Sequence, residues 1–220
     1  MKTTTPPPWS LKGEGYILVF RFPKDFIEKQ GFIPDFLKDS FRGGLGCVML
    51  LDCKESKLGP LKELLFMPGE FYYNDEKVYS ITKIYTSSKK DAECSRENWG
   101  LMKELADFRI EKKDDNVERI IISRGKDSIM DITLKISRLS LPILATVLPP
   151  RFSVVQKCSK KLYITEIRNS GRDSGKIKFA EILDIKVNKR LFPDISEVKP
   201  RAVIKTVDFE LEFNEAKVVG

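Results

Sequence analysis

The segment from Cys94 to Phe108 sets one lysine, Lys103, directly behind the short apolar stretch Trp99 to Met102. A lysine carried into apolar surroundings loses the water that stabilises its ammonium, and full burial lowers its pKa by roughly 3 to 5 units from about 10.4. The free amine adds to a ketone or aldehyde and expels water to form an imine. The competing reading is a lysine that lays its methylene stem along the apolar surface and keeps its charge in solvent. Glu104 follows at once, and a carboxylate aimed at the amine holds the proton on it. On an extended segment, however, adjacent side chains face opposite sides. The expectation is therefore that Glu104 faces away while Trp99, Leu101 and Met102 exclude water around Lys103.

Composition removes most other chemistries. The 220 residues contain no histidine, so Ser-His and Cys-His nucleophiles and the commonest metal ligand are absent. Lysine, carboxylate, tyrosine or an unassisted cysteine remain for covalent work. Cys47, Cys53, Cys94 and Cys158 show no C-x-x-C spacing and read as free thiols, mostly small buried hydrophobes. The formal charge is +7, but Lys112-Lys113 runs straight into Asp114-Asp115, and the patch Lys157, Lys160, Lys161 has no recognition motif beside it. Nucleic acid is not an expected partner. The opening residues lack an apolar signal core, and no later apolar run approaches the roughly 18 residues of a membrane span. The expectation is a cytoplasmic protein folded as one domain over residues 1–220.

The elements that must hold Lys103 read as mainly β. Gly15–Phe22, Gly46–Asp52, Val78–Thr86, Val117–Ser123, Ile129–Ser137, Lys176–Val187 and Ala202–Phe213 are rich in β-branched and aromatic residues. Asp114-Asp115-Asn116 and Arg124-Gly125-Lys126-Asp127 carry hairpin-turn chemistry. Helical signals are short: one element after Pro23 that stops at Gly31, and a turn after Pro34. Gly43-Gly44-Leu45-Gly46 reads as a bulge or tight turn, because no Gly-Lys-Ser/Thr follows it. Many strands and few helices imply an antiparallel sheet closed into a barrel or cone around a pocket, which removes exposed edges.

Arg96-Glu97, a small residue at Gly100, Lys103 seven positions after the arginine, then Leu105 and Ala106 resemble the active-site segment of acetoacetate decarboxylases. Pro7-Pro8-Trp9-Ser10-Leu11 with Gly13-Glu14-Gly15-Tyr16, the run Gly59 to Gly69, and Ile81 to Tyr85 are similar to that family in the same order; Pro193-Asp194 and Val207-Asp208-Phe209 match more loosely. The resemblance implies decarboxylation of a β-keto acid through an imine on Lys103, with no metal and no organic cofactor. Acetoacetate decarboxylase is itself the standing example of a lysine activated by desolvation or a cationic neighbour. The resemblance also places Glu63 in the pocket for orientation or proton transfer and implies a homo-oligomer; Arg96 and Glu97 either pair with each other or brace the loop under Lys103, and read as structural support. Two positions depart from the family: Glu104 stands where a second lysine is usual, and Met102 where a proline is. The family's substrate-binding arginine falls near Gly13 and has no match. Imine-based aldol or dehydration chemistry, and a non-catalytic module binding an apolar small molecule with Lys103 as a polar contact, are the alternatives.

Overall fold

The structure, a computed structural model, describes residues 5–142, 151–169 and 176–219. In chain order the described elements are β1 (Trp9–Phe20), α1 (Lys24–Gln30), β2 (Phe41–Gly43), β3 (Gly46–Glu55), β4 (Leu61–Met67), β5 (Glu70–Tyr73), β6 (Glu76–Tyr79), β7 (Lys83–Thr86), α2 (Lys89–Trp99), β8 (Glu104–Leu105), β9 (Asp107–Asp114), β10 (Val117–Arg124), β11 (Asp127–Ile136), β12 (Leu141–Pro142), β13 (Arg151–Cys158), β14 (Lys161–Asn169), β15 (Lys176–Val187), β16 (Ala202–Phe213) and β17 (Lys217–Val219). Single 3-10 turns occupy Asp35–Leu37 and Ile195–Glu197. Among these residues no helix is long and apolar enough to cross a membrane.

Alternation along the central strands sets two cores on opposite faces of one sheet. Tyr16, Leu18 and Phe20 of β1, Val48 and Leu50 of β3, and Leu64 and Phe66 of β4 enter one apolar cluster. Their neighbours Ile17, Val19, Met49, Leu51, Leu61 and Leu65 enter the other. Strands covered on both faces are apolar almost throughout. Glu63 shares its side of β4 with Leu61 and Leu65, so it is carried into the second core, and a charge there needs partners.

The expectation of a closed antiparallel barrel is corrected by the pairing. β16 meets β1 along one edge, while its other edge is shared by β15 near Thr206 and by β14 near Phe213. From β1 the sheet continues through β3, β4, β7 and β8, and from β15 through β11, β10 and β9. No path of pairings among the described residues returns to its starting strand. Two pairs are parallel, β6 with β13 and β7 with β8. The parallel β7–β8 contact follows from α2, which lies between them and carries the chain back to the same end, as a parallel connection requires. The outer strand β9 handles its open edge with charge: Arg109, Glu111 and Lys113 alternate along it and pair with one another.

The boundaries of β15 and β16 match the expected strands residue for residue. The expected strand Val78–Thr86 is two strands, because β6 pairs with β5 and β13 while β7 pairs with β4. Gly43 and Gly44 take φ of 85° and 80° in the tight turn between β2 and β3, a region in which a side chain is strained.

Candidate active site around Lys103

α2 has no pronounced apolar stripe and begins with Ser88, whose hydroxyl accepts from the Asp91 backbone N–H as an N-cap does. The cap starts the helix so that Asp91 and Ser95, one turn apart, face inward, where they are 1% and 0% exposed. Gly100 ends it with φ of 67°, and its backbone N–H bonds to the Arg96 carbonyl. A Cβ at Gly100 would stand 2.5 Å from Cδ2 of Tyr163, so glycine is required there on both conformational and steric grounds. Chain reversal at Gly100 then drops Lys103 beneath the helix it has just left.

Lys103 is the only lysine among the described residues that is buried, at 8% exposure. Its Nζ donates to Oε1 of Glu63 and, at 3.0 Å each, to both carboxylate oxygens of Asp91. Ser95 Oγ donates to Asp91 Oδ1 at 2.9 Å. Burial is the strongest influence on Lys103 and favours the neutral amine, but the charges and hydrogen bonds of Glu63 and Asp91 together outweigh it. The ammonium is therefore held above the ordinary lysine range, opposite to the depression expected from an apolar setting alone. Burial raises the Glu63 carboxyl to about 7; the Lys103 charge pulls against that rise and Asp91 adds to it. Below about pH 7 Glu63 is therefore mostly protonated beside the Lys103 ammonium. Cys53 adjoins the cluster, and burial followed by Glu63 holds its thiol above the ordinary range, which removes it as a competing nucleophile.

The structure thus brings together Lys103 and Glu63, two of the residues singled out in the sequence, and adds Asp91, which sequence reasoning missed. The readable signal was the Ser88-x-x-Asp91 start of a helix stopping at Gly100. Glu104 is elsewhere: its carboxylate accepts from Lys83 and, at 2.6 Å, from Arg124. Trp99 is buried in the second core, donating from Nε1 to the Asn214 carbonyl at 2.8 Å and meeting Trp9 edge to face at 4.7 Å. Met102 is 55% exposed, with its sulfur 3.6 Å from the Cys158 thiol, so it does not shield Lys103 as expected. Arg96 and Glu97 are exposed; Arg96 supports the turn through its backbone carbonyl, and Glu97 lies close enough to Tyr163 to help raise its phenol, behind burial and Cys158. Among the described residues no group of three or more carboxylates and thiols is arranged to hold a metal ion.

No protein-family model matches the sequence, and no curated protein matches it. Solved structures do. An acetoacetate decarboxylase from Legionella pneumophila superposes with a TM-score of 0.74 at 15% identity, covering 100% of this chain and 90% of that one. An acetoacetate decarboxylase-like enzyme from Sphingomonas wittichii gives 0.68 at 10% identity, covering 98% and 94%. The enduracididine biosynthesis enzyme MppR complexed with pyruvate gives 0.62 at 13% identity, covering 99% and 92%. The chain has the acetoacetate decarboxylase-like fold over its whole length.

Proposed function

We propose that this chain is a carbonyl-processing enzyme in which Lys103 forms an imine with a keto acid, with decarboxylation of a β-keto acid as the reaction. The observation that carries the reading is the direct contact between Lys103 and Glu63 in a water-poor core. For attack, the ammonium must give up a proton, and Glu63, with a pKa near 7, is the acceptor in contact with it. Transfer from Nζ to Glu63 discharges both partners, but it runs uphill because Glu63 and Asp91 hold the ammonium above the ordinary lysine range, so attack draws on a small neutral fraction. Amine addition to the carbonyl gives a carbinolamine; Glu63 returns its proton to the departing hydroxyl, which leaves as water, and the resulting iminium has Asp91 as its counterion. With a β-keto acid the iminium accepts the electron pair released as carbon dioxide leaves; the enamine takes a proton from water at carbon, and water hydrolyses the iminium to restore Lys103. The shared fold of the decarboxylases and of the pyruvate-bound MppR structure supports this substrate class. Action as one domain over residues 1–220, in a cytoplasmic homo-oligomer, belongs to the same reading.

Borohydride reduction in the presence of acetoacetate or pyruvate, followed by peptide mass spectrometry, tests it. The expected result is one reduced adduct on Lys103, formed faster as pH rises through about 7, where Glu63 becomes able to accept a proton. Glu63→Gln removes that pH dependence. Adducts scattered over exposed lysines, or none with either acid, would overturn the assignment and favour a non-catalytic binding fold.

A further inference from the structure

A cavity of about 570 Å³ opens where β1, β3 and β4 face the β9–β10 hairpin. Glu63 borders it, but Lys103 is not among the residues that line it. Its volume lies within the range of small-molecule sites. Phe108, Ile110 and Lys112 alternate along β9 to form one wall, Ile120 stands opposite Ile110 on β10, and Tyr16 and Leu50 make the apolar floor. Ile110 is 40% exposed, an apolar side chain facing an open hollow.

The charges around this hollow are unevenly matched. Of its four lysines, Lys205 lies 2.7 Å from Glu118 and 3.4 Å from Glu14. Lys54 and Lys62 both reach Asp52, at 2.5 and 3.1 Å. Lys112 sits directly across the ladder from Glu118, yet the Glu118 carboxylate turns away to accept from the Tyr16 hydroxyl at 2.8 Å and from Lys205. Lys112 is therefore the one cavity lysine that no carboxylate of the described residues answers.

We propose that this cavity is a binding site, separate from Lys103, for a small aromatic or aliphatic carboxylate. Its apolar body covers Phe108, Ile110 and Ile120, and its carboxylate pairs with Lys112. The argument needs no chemistry at Lys103 and stands if the imine reading fails. Specificity follows from charge: a cation of the same shape meets an uncompensated ammonium, and a neutral alcohol leaves Lys112 unpaired.

Titration of the labelled protein with 3-phenylpropionate, 3-phenylpropanol and 3-phenylpropylamine, followed by amide NMR, tests the site. The acid is expected to saturate with shifts centred on Ile110, Lys112 and Ile120, and to bind at least about tenfold more tightly than the alcohol or the amine, a difference of about 1.4 kcal/mol. Both Lys112→Glu, a surface charge reversal, and Ile110→Glu should weaken the acid by about tenfold or more. Failure of the acid to saturate below about 10 mM, which would leave only about 3 kcal/mol of binding, overturns the proposal. So do equal affinities for acid and amine, shifts confined to the surroundings of Lys103, or unchanged binding in Lys112→Glu.

Discussion

Lys103 and Glu104 are bonded neighbours whose charges belong to separate clusters. Nζ of Lys103 is enclosed by Glu63 and Asp91, whereas the Glu104 carboxylate bridges Lys83 and Arg124. The pairing partners of the second cluster come from β7 and β10, those of the first from β4 and α2. A charge change at Glu104 is thereby separated from the buried amine.

Glu104→Gln should accordingly cost under about 1 kcal/mol, the usual value of partly exposed ion pairs. Urea unfolding at low and high salt measures it, and the difference from wild type should shrink as salt screens the lost pairs. The pH dependence of borohydride trapping at Lys103 should not move in this variant.

Asp91→Ala removes the anion that answers the buried ammonium and leaves Ser95 without its acceptor. Stranding one member of a buried pair costs about 3–5 kcal/mol. A chain of this size loses roughly 2–4 °C of Tm per kcal/mol, so calorimetry should record a fall of about 6 °C or more. Ser95→Ala, which leaves Lys103 paired, should cost only about 1 kcal/mol.

Glu63 predicts a pH dependence of stability with a definite sign. Its folded pKa is raised from 4.5 to about 7, so the folded state binds more protons than the unfolded chain between those values. Its contribution is complete below about pH 4.5 and is lost as pH rises through 7. Relative to Glu63→Gln, wild type should therefore lose on the order of 2–3 kcal/mol between pH 4.5 and 8. Parallel urea curves across that range measure the difference, and a constant gap between the two proteins would contradict it.

Trp99 fills the second core against Trp9 and Phe213. Trp99→Ala should cost about 3–5 kcal/mol through the cavity it leaves. Trp99→Phe keeps most of the packing and loses the bond to Asn214, at about 1 kcal/mol. Denaturant midpoints with unchanged slopes would show that these are losses of stability alone.

The strands that alternate strongly were legible in the sequence, β15 and β16 to the residue, because period-2 patterning and β-branched residues agree there. α2 was not, because its inward face is carried by Asp91 and Ser95 as well as by Ala92 and Cys94. A helix that buries polar groups leaves only a weak apolar period, and its cap and its glycine stop are then the signals that survive. Missing α2 also hid the parallel pairing of β7 with β8 and encouraged the closed antiparallel barrel. At the site, Lys103 and Glu63 were found by resemblance to a motif. Asp91 reaches them only through the tertiary fold, and the direction of the Lys103 pKa depends on it.

β16 joins the two arms of the sheet, and its register sets Trp9 opposite Phe213. Pairing across two hundred residues of sequence has a large entropic cost of closure and a slow approach. On the ribosome, β1 waits with one edge unpaired until the segment ending at Phe213 has emerged. During that interval its run Tyr16 to Phe20, apolar on both faces, is exposed to association with other chains, so in a cell the yield of folded protein will depend on how quickly β16 arrives.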